Sequence, residues 1–187
     1  VPKPQYNYLA FGAAEYQQNP LTVDGDLGDW GELRHPMPMQ WSFNDERLTD
    51  GLPIFMRWSR NGFYFCYRVP NRTKVDLPKG RVYEGDLFEV WLDVDNLRKA
   101  SMQSHPFSQQ FTLMPFGFNG NPEASFSEIG RGFRGIQMHA YRLEASPEIN
   151  TALGKCRGRI HDGGYTVEGF ISIKALANPK VKAGMYV

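Results

Sequence analysis

Two apolar runs, residues 54–59 and 63–69, flank Arg60-Asn61-Gly62. Asn-Gly accepts the positive φ values of a primed turn, so this stretch predicts a tight β-hairpin. Side chains alternate along a strand, which places Phe65, Tyr67 and Val69 on one face and Tyr64, Cys66 and Arg68 on the other. Residues 157–160 and 165–173 predict a second hairpin across His161-Asp162-Gly163-Gly164. Further strands are predicted over 21–23, 87–94, 109–114 and 136–145, with another beginning at 183–187 and one helical turn at 174–176. The intervening segments 1–20, 34–53, 71–80, 97–106 and 115–123 read as loops. Asp24-Gly25 is a turn signal, and Trp30, which closes the acidic segment after it, is expected to plug one end of the core.

Aromatic residues make up 14% of the chain, with 19 Gly and 13 Pro and little helical periodicity, which argues for an all-β protein. Short strands joined by turns at this spacing predict a mostly antiparallel, jelly-roll-like β-sandwich. The 187 residues suffice for one domain with a real core, and no repeat, linker or low-complexity tract divides them, so 1–187 is read as a single domain. With 21 basic and 20 acidic residues the net charge is +1, which leaves no field to steer nucleic acid or an anionic membrane. No apolar run approaches the roughly 20 residues of a membrane-spanning helix, so no membrane insertion is expected. No signal peptide is visible, and the abrupt start at Val1 is consistent with a leader already removed. Cys66 and Cys156 fit either one disulfide or two buried thiols, and they do not fix the compartment.

The motifs with chemical meaning are few. Gly130-x-Gly132-x-x-Gly135 matches a dinucleotide fingerprint as a string, but a strand-like pattern follows instead of a helix, so it reads as a flexible loop. Histidines 35, 105, 139 and 161 have no metal-ligand spacing, and there is no His-Glu-x-x-His, Cys-x-x-Cys or Gly-x-Ser-x-Gly. These absences argue against a zinc enzyme or a serine hydrolase. Asp24, Asp26 and Asp29 cluster around a glycine, and Asp93, Asp95 and Asn96 close the strand at 87–94. Each group reads first as a solvated acidic turn and second as ligands for a structural calcium, which takes hard oxygen donors. A Met with His139 or His161 would be the axial pair of a haem, but the chain has no haem-attachment motif and its 7 Met more readily fill core gaps. Asn71-Arg72-Thr73 is a glycosylation sequon in a predicted loop.

Two features suit sugars, which present flat C–H faces to aromatic rings and hydroxyls to carboxylates. Trp41, Trp58 and Trp91 read as core, whereas Tyr83 sits in a polar loop with Arg81, Glu84 and Asp86. Glu89 stands inside an otherwise apolar strand, so its carboxylate faces either solvent or a polar ligand.

Four segments in order resemble the family 9 carbohydrate-binding modules and their relatives in the DOMON-like sandwich group. They are Leu21-Thr22-Val23-Asp24-Gly25-Asp26-Leu27-Gly28-Asp29-Trp30, the strand at 62–69, the run from Tyr83-Glu84-Gly85-Asp86 to Glu89 and Asp93-Val94-Asp95, and Gly164-Tyr165-Thr166-Val167-Glu168 with the strand it opens. The resemblance covers about residues 21–187. It implies a non-catalytic β-sandwich that binds carbohydrate, belongs to a larger extracellular or periplasmic protein and often carries structural calcium. Carried over, Tyr83 takes the place of the first stacking aromatic, Glu89 that of a carboxylate bonding sugar hydroxyls, and Asp86 supports the loop. Thr112 stands where the family offers an arginine, and the second aromatic of the family's clamp lies beyond the strand at which this sequence stops. Two alternatives follow: a haem-carrying electron-transfer domain on the same sandwich, and a scaffold domain that has lost sugar binding.

Overall fold

The computed structural model describes residues 14–41, 47–79, 85–93, 108–131 and 152–176. Among these are nine strands: β1 (Ala14–Tyr16), β2 (Met37–Trp41), β3 (Arg47–Ser59), β4 (Gly62–Pro70), β5 (Phe88–Asp93), β6 (Ser108–Leu113), β7 (Phe126–Arg131), β8 (Gly154–His161) and β9 (Gly164–Ser172). The larger sheet has the order β1-β3-β4-β9-β8, with β2 also on β3, and the smaller has the order β5-β6-β7. Every pairing is antiparallel except β1 with β3. The expected all-β, mostly antiparallel sandwich is present.

Both predicted hairpins form. Ser59 pairs with Gly62, so the turn between β3 and β4 is Arg60-Asn61, and the Ser59 hydroxyl accepts the Asn61 N–H at 3.1 Å. The positive φ falls on Gly62 (150°) rather than on Asn61. Local signals missed three elements. Ala14–Tyr16 adds a parallel edge strand inside the supposed lead-in, β2 and much of β3 lie inside the proline-bearing segment 34–53, and β7 takes up Gly130. In β2 and β3 proline faces proline, with Pro38 opposite Pro53 at the sheet margin where β3 has passed its ladder with β4. Residues 21–23 make no ladder, and the strands expected at 136–145 and 183–187 lie outside the described residues.

The core between the sheets is formed by Phe65 and Tyr67 of β4, Phe111 and Leu113 of β6, Phe126 of β7, Cys156 of β8 and Tyr165, Val167 and Ile171 of β9. The alternation in β4 therefore points as the sequence predicts. Phe88 of β5 seats against Phe65 and Tyr67, with ring centroids 5.1 and 5.2 Å away, and this contact docks the small sheet on the large one. Phe65 in turn lies over Gly169 of β9, where an added Cβ would stand 1.9 Å from the ring. Only glycine leaves room for that ring.

The outer face of the large sheet is covered as well. Leu21, Val23, Leu27 and Trp30 pack on Tyr64 and Cys66, with Phe55 and Phe170 at the margin. Trp30 is thus buried on the outside of the sheet (1% exposed) and does not plug the core, because its indole N–H needs an acceptor. Glu168 of β9, also 1% exposed, supplies it: Trp30 Nε1 donates to Oε1 at 2.5 Å, and the Gly25 and Asp24 N–H groups donate to Oε2 at 2.6 and 3.1 Å. The neighbouring Thr166 hydroxyl donates to the Gly25 carbonyl at 2.5 Å, and Arg159 pairs with Asp26. Cys66 and Cys156 are free buried thiols in different packing clusters on β4 and β8, and burial pushes both well above the ordinary thiol range.

Burial pushes the Glu168 carboxyl up to about 7 from an ordinary 4.5, against the pull of its three N–H donors. The folded protein holds that proton after the unfolded chain has released it. The stability that this group contributes is therefore full below about pH 4.5 and is lost as pH rises through about 7. At roughly 1.4 kcal/mol per pKa unit, the loss is about 3 kcal/mol. Urea unfolding at pH 5 and pH 8 should show this decline, and Glu168→Gln should flatten it; an equally flat wild-type profile would mean the carboxylate stays ionised throughout. Gly169→Ala should lower stability by about 3 kcal/mol by overpacking against Phe65, and Phe65→Leu in the same chain should recover part of the loss in the unfolding midpoint.

Candidate functional site

The face of the small sheet turned away from the core carries the candidate site. Phe88 and Val90 pack into the core, so Glu89 between them faces outward, half-buried. Phe111 and Leu113 do the same in β6 and turn Thr112 to the same side. Glu89 and Thr112 are direct partners in the β5–β6 ladder, and Thr112 faces Ser127 of β7. One row across three strands therefore reads carboxylate, hydroxyl, serine. Trp91 and Gln110 occupy the register position two residues on, and there the β6–β7 ladder slips between Gln110 and Phe111. Such a bulge re-aims nearby side chains and is frequent beside functional sites.

Thr112 is 0% exposed, and its hydroxyl has no hydrogen-bond partner among the described residues. A buried hydroxyl left unpaired costs about 1–3 kcal/mol, so this atom is a polar vacancy next to Glu89. It does not reach solvent in this structure.

Asp86 fixes the chain entering β5. Its carboxylate accepts the Asp76 N–H at 2.8 Å and pairs with Arg72 Nη2 at 2.7 Å, while its own N–H donates to the Asp76 carbonyl at 2.7 Å. Arg72 also donates through Nε to the Lys74 carbonyl at 3.2 Å. The loop after β4 is thereby tied to residue 86 by the middle residue of the Asn71-Arg72-Thr73 sequon. Sequence reading missed this role of Arg72, because the two partners of the ion pair are separated by a loop with no periodicity.

Tyr83 and Asp95 lie outside the described residues, as do the side chains of Trp41, Trp91 and Asp93. Trp58 is half-buried at the β3 end, with Tyr16 4.8 Å away. His105 and His139 are outside the described residues, and His161 is exposed at the end of β8, where its Nδ1 accepts the Gly163 N–H.

The acidic cluster at the first turn is engaged within the chain. Asp24 Oδ1 accepts the Asp26 N–H at 2.8 Å, Asp26 Oδ1 caps Gly28 at 3.0 Å, and Asp29 Oδ2 accepts the Thr22 N–H at 2.8 Å. With Asp26 also paired to Arg159, the three carboxylates act as turn caps. Among the described residues no three His, Cys, Asp or Glu side chains are grouped as metal ligands.

No protein-family model matches the chain, and no curated protein matches it. Solved structures do. A family 9 carbohydrate-binding module from Caldicellulosiruptor kristjanssonii in complex with cellotriose superposes with a TM-score of 0.54 at 14% identity, over 89% of this chain and 69% of the module's. A family 9 module from the same organism in complex with glucose gives a TM-score of 0.56 at 12% identity, over 89% of this chain and 72% of the other. At this identity the likeness establishes the fold alone: the chain has a β-sandwich fold like that of these modules.

Proposed function

We propose that this protein is a non-catalytic carbohydrate-binding domain of a larger extracellular or periplasmic protein. The observation that carries the reading is Glu89, turned outward and half-buried on the small sheet of a sandwich whose solved counterparts are sugar-bound modules. A half-buried carboxylate can accept a pair of sugar hydroxyls, and partial burial strengthens those bonds relative to water. Tyr83, a few residues before β5, stacks on the C–H face of the ring. Asp86 works through the backbone, holding the loop end from which β5 starts. A shallow site of this kind suits millimolar to micromolar affinity, about −4 to −8 kcal/mol.

Calorimetric titration against a panel of mono- and oligosaccharides tests the reading. Heat is expected with one sugar class, lost in Tyr83→Ala and weakened at least about tenfold in Glu89→Gln, with the melting temperature of both variants close to wild type. Silence across the panel would overturn sugar binding in favour of a packing role. An equal loss of stability and binding in Tyr83→Ala would show that the ring belongs to the core.

A further inference from the structure

A groove of about 550 Å3 opens on the outer face of the large sheet, which faces away from the small sheet and Glu89. Its volume lies within the roughly 300–1,000 Å3 of small-molecule sites. A single row across three strands runs through it. Tyr64 of β4 stands opposite Phe170 of β9, and Phe170 stands opposite Lys155 of β8. The Tyr64 and Phe170 rings lie 4.7 Å apart, tilted by 38°. Asn61, Ser172 and Lys174 also line the groove.

Three observations define what this groove lacks. Its lining contains two lysines and no Asp or Glu. Neither lysine forms an ion pair among the described residues, although Lys155 is half-buried. Tyr64 is only 4% exposed as a residue, its hydroxyl makes no hydrogen bond among the described residues, and that oxygen is not among the buried unpaired atoms, so it is open to the groove. The groove thus offers ring surface, an uncompensated positive charge and an unused phenol donor side by side. A neutral sugar would leave the ammonium groups unmatched, and a bare inorganic anion would leave the rings uncovered.

We propose that this groove is a second ligand site that takes a small organic carboxylate with a flat apolar face, of which a uronic acid is the fitting probe. The carboxylate sits at Lys155 and Lys174, the C–H face of the ring covers Phe170, and the Tyr64 hydroxyl donates to a ring substituent. The assignment is independent of the Glu89 site, since the two share no residue.

The test is an amide-resolved NMR titration of the whole chain with D-galacturonate, with D-galactose and the methyl ester of galacturonate as uncharged counterparts. Galacturonate is expected to shift the Lys155 and Phe170 amides saturably, and the two neutral sugars to leave them in place. Lys155→Gln and Lys174→Gln should each weaken binding about tenfold, with unchanged melting temperature. Equal binding of the ester, absence of any saturable shift, or full affinity in both lysine variants would overturn the proposal. Because the ester comparison uses the unmodified protein, it decides the question even where a variant folds poorly.

Discussion

The large sheet depends on the carboxylate of Glu168. A charged group in the middle of a central strand would ordinarily stand in solvent, and here three N–H donors from residues 24–30 close over it. The arrangement satisfies an indole and two turn amides at once, and it fastens the segment before β2 to β9, 138 positions away for Trp30. Removing one partner of such a tie leaves the rest buried and unpaired, which costs more than the bonds themselves contribute. Burial holds the carboxyl well above its usual range against the pull of those donors, so the closing of this face also makes stability depend on pH.

Closure of that face explains the layout of everything else. β9 is buried on both sides, with Tyr165, Val167 and Ile171 toward the small sheet and Thr166, Glu168 and Ser172 under or beside the N-terminal segment. Arg57 adds to the cover: its guanidinium lies 5.4 Å from the Trp30 ring centre and bonds Gln17, the residue after β1, at 2.9 Å. Glu89 stands half-buried on the outer side of the small sheet, and Tyr64, Phe170 and Lys155 line a groove at the end of the large sheet beyond Leu21. Phe88 couples the two halves of the sandwich, because the ring that docks β5 on Phe65 and Tyr67 is the residue next to Glu89. A glycine in β9 makes the space for that stack, so the outward aim of Glu89 is fixed from across the core.

Much of this was legible locally. The two hairpins, the two faces of β4 and the outward position of Glu89 follow from alternation and turn chemistry, which act between neighbours. Where the sequence misled, a long-range partner had overridden a local signal. Residues 21–23 have strand character, but sheet-edge pairing is replaced by packing on Tyr64 and Cys66. Pro38 and Pro53 suggest loop, yet they sit opposite one another in a ladder at the sheet margin. Asp24, Asp26 and Asp29, read first as a solvated acidic turn, each accept a backbone N–H two to seven residues away, and Asp26 adds a pairing with Arg159 that no local pattern names. The pairing of Arg72 with Asp86, which sets the start of β5, had no sequence signal at all.

Glu89 and Glu168 mark the boundary between the two kinds of information. In sequence they are alike, a single carboxylate in an apolar strand, Phe88-Glu89-Val90 and Val167-Glu168-Gly169. Alternation alone determined that both point away from the sandwich core. Tertiary structure decided that one is sealed under Trp30 as an internal tie while the other stays half-buried on an outer face. The physical reason is that a strand fixes only the direction of a side chain. What covers that side chain comes from a segment distant in the chain, and its arrival depends on hydrogen bonds and apolar burial that no local pattern records.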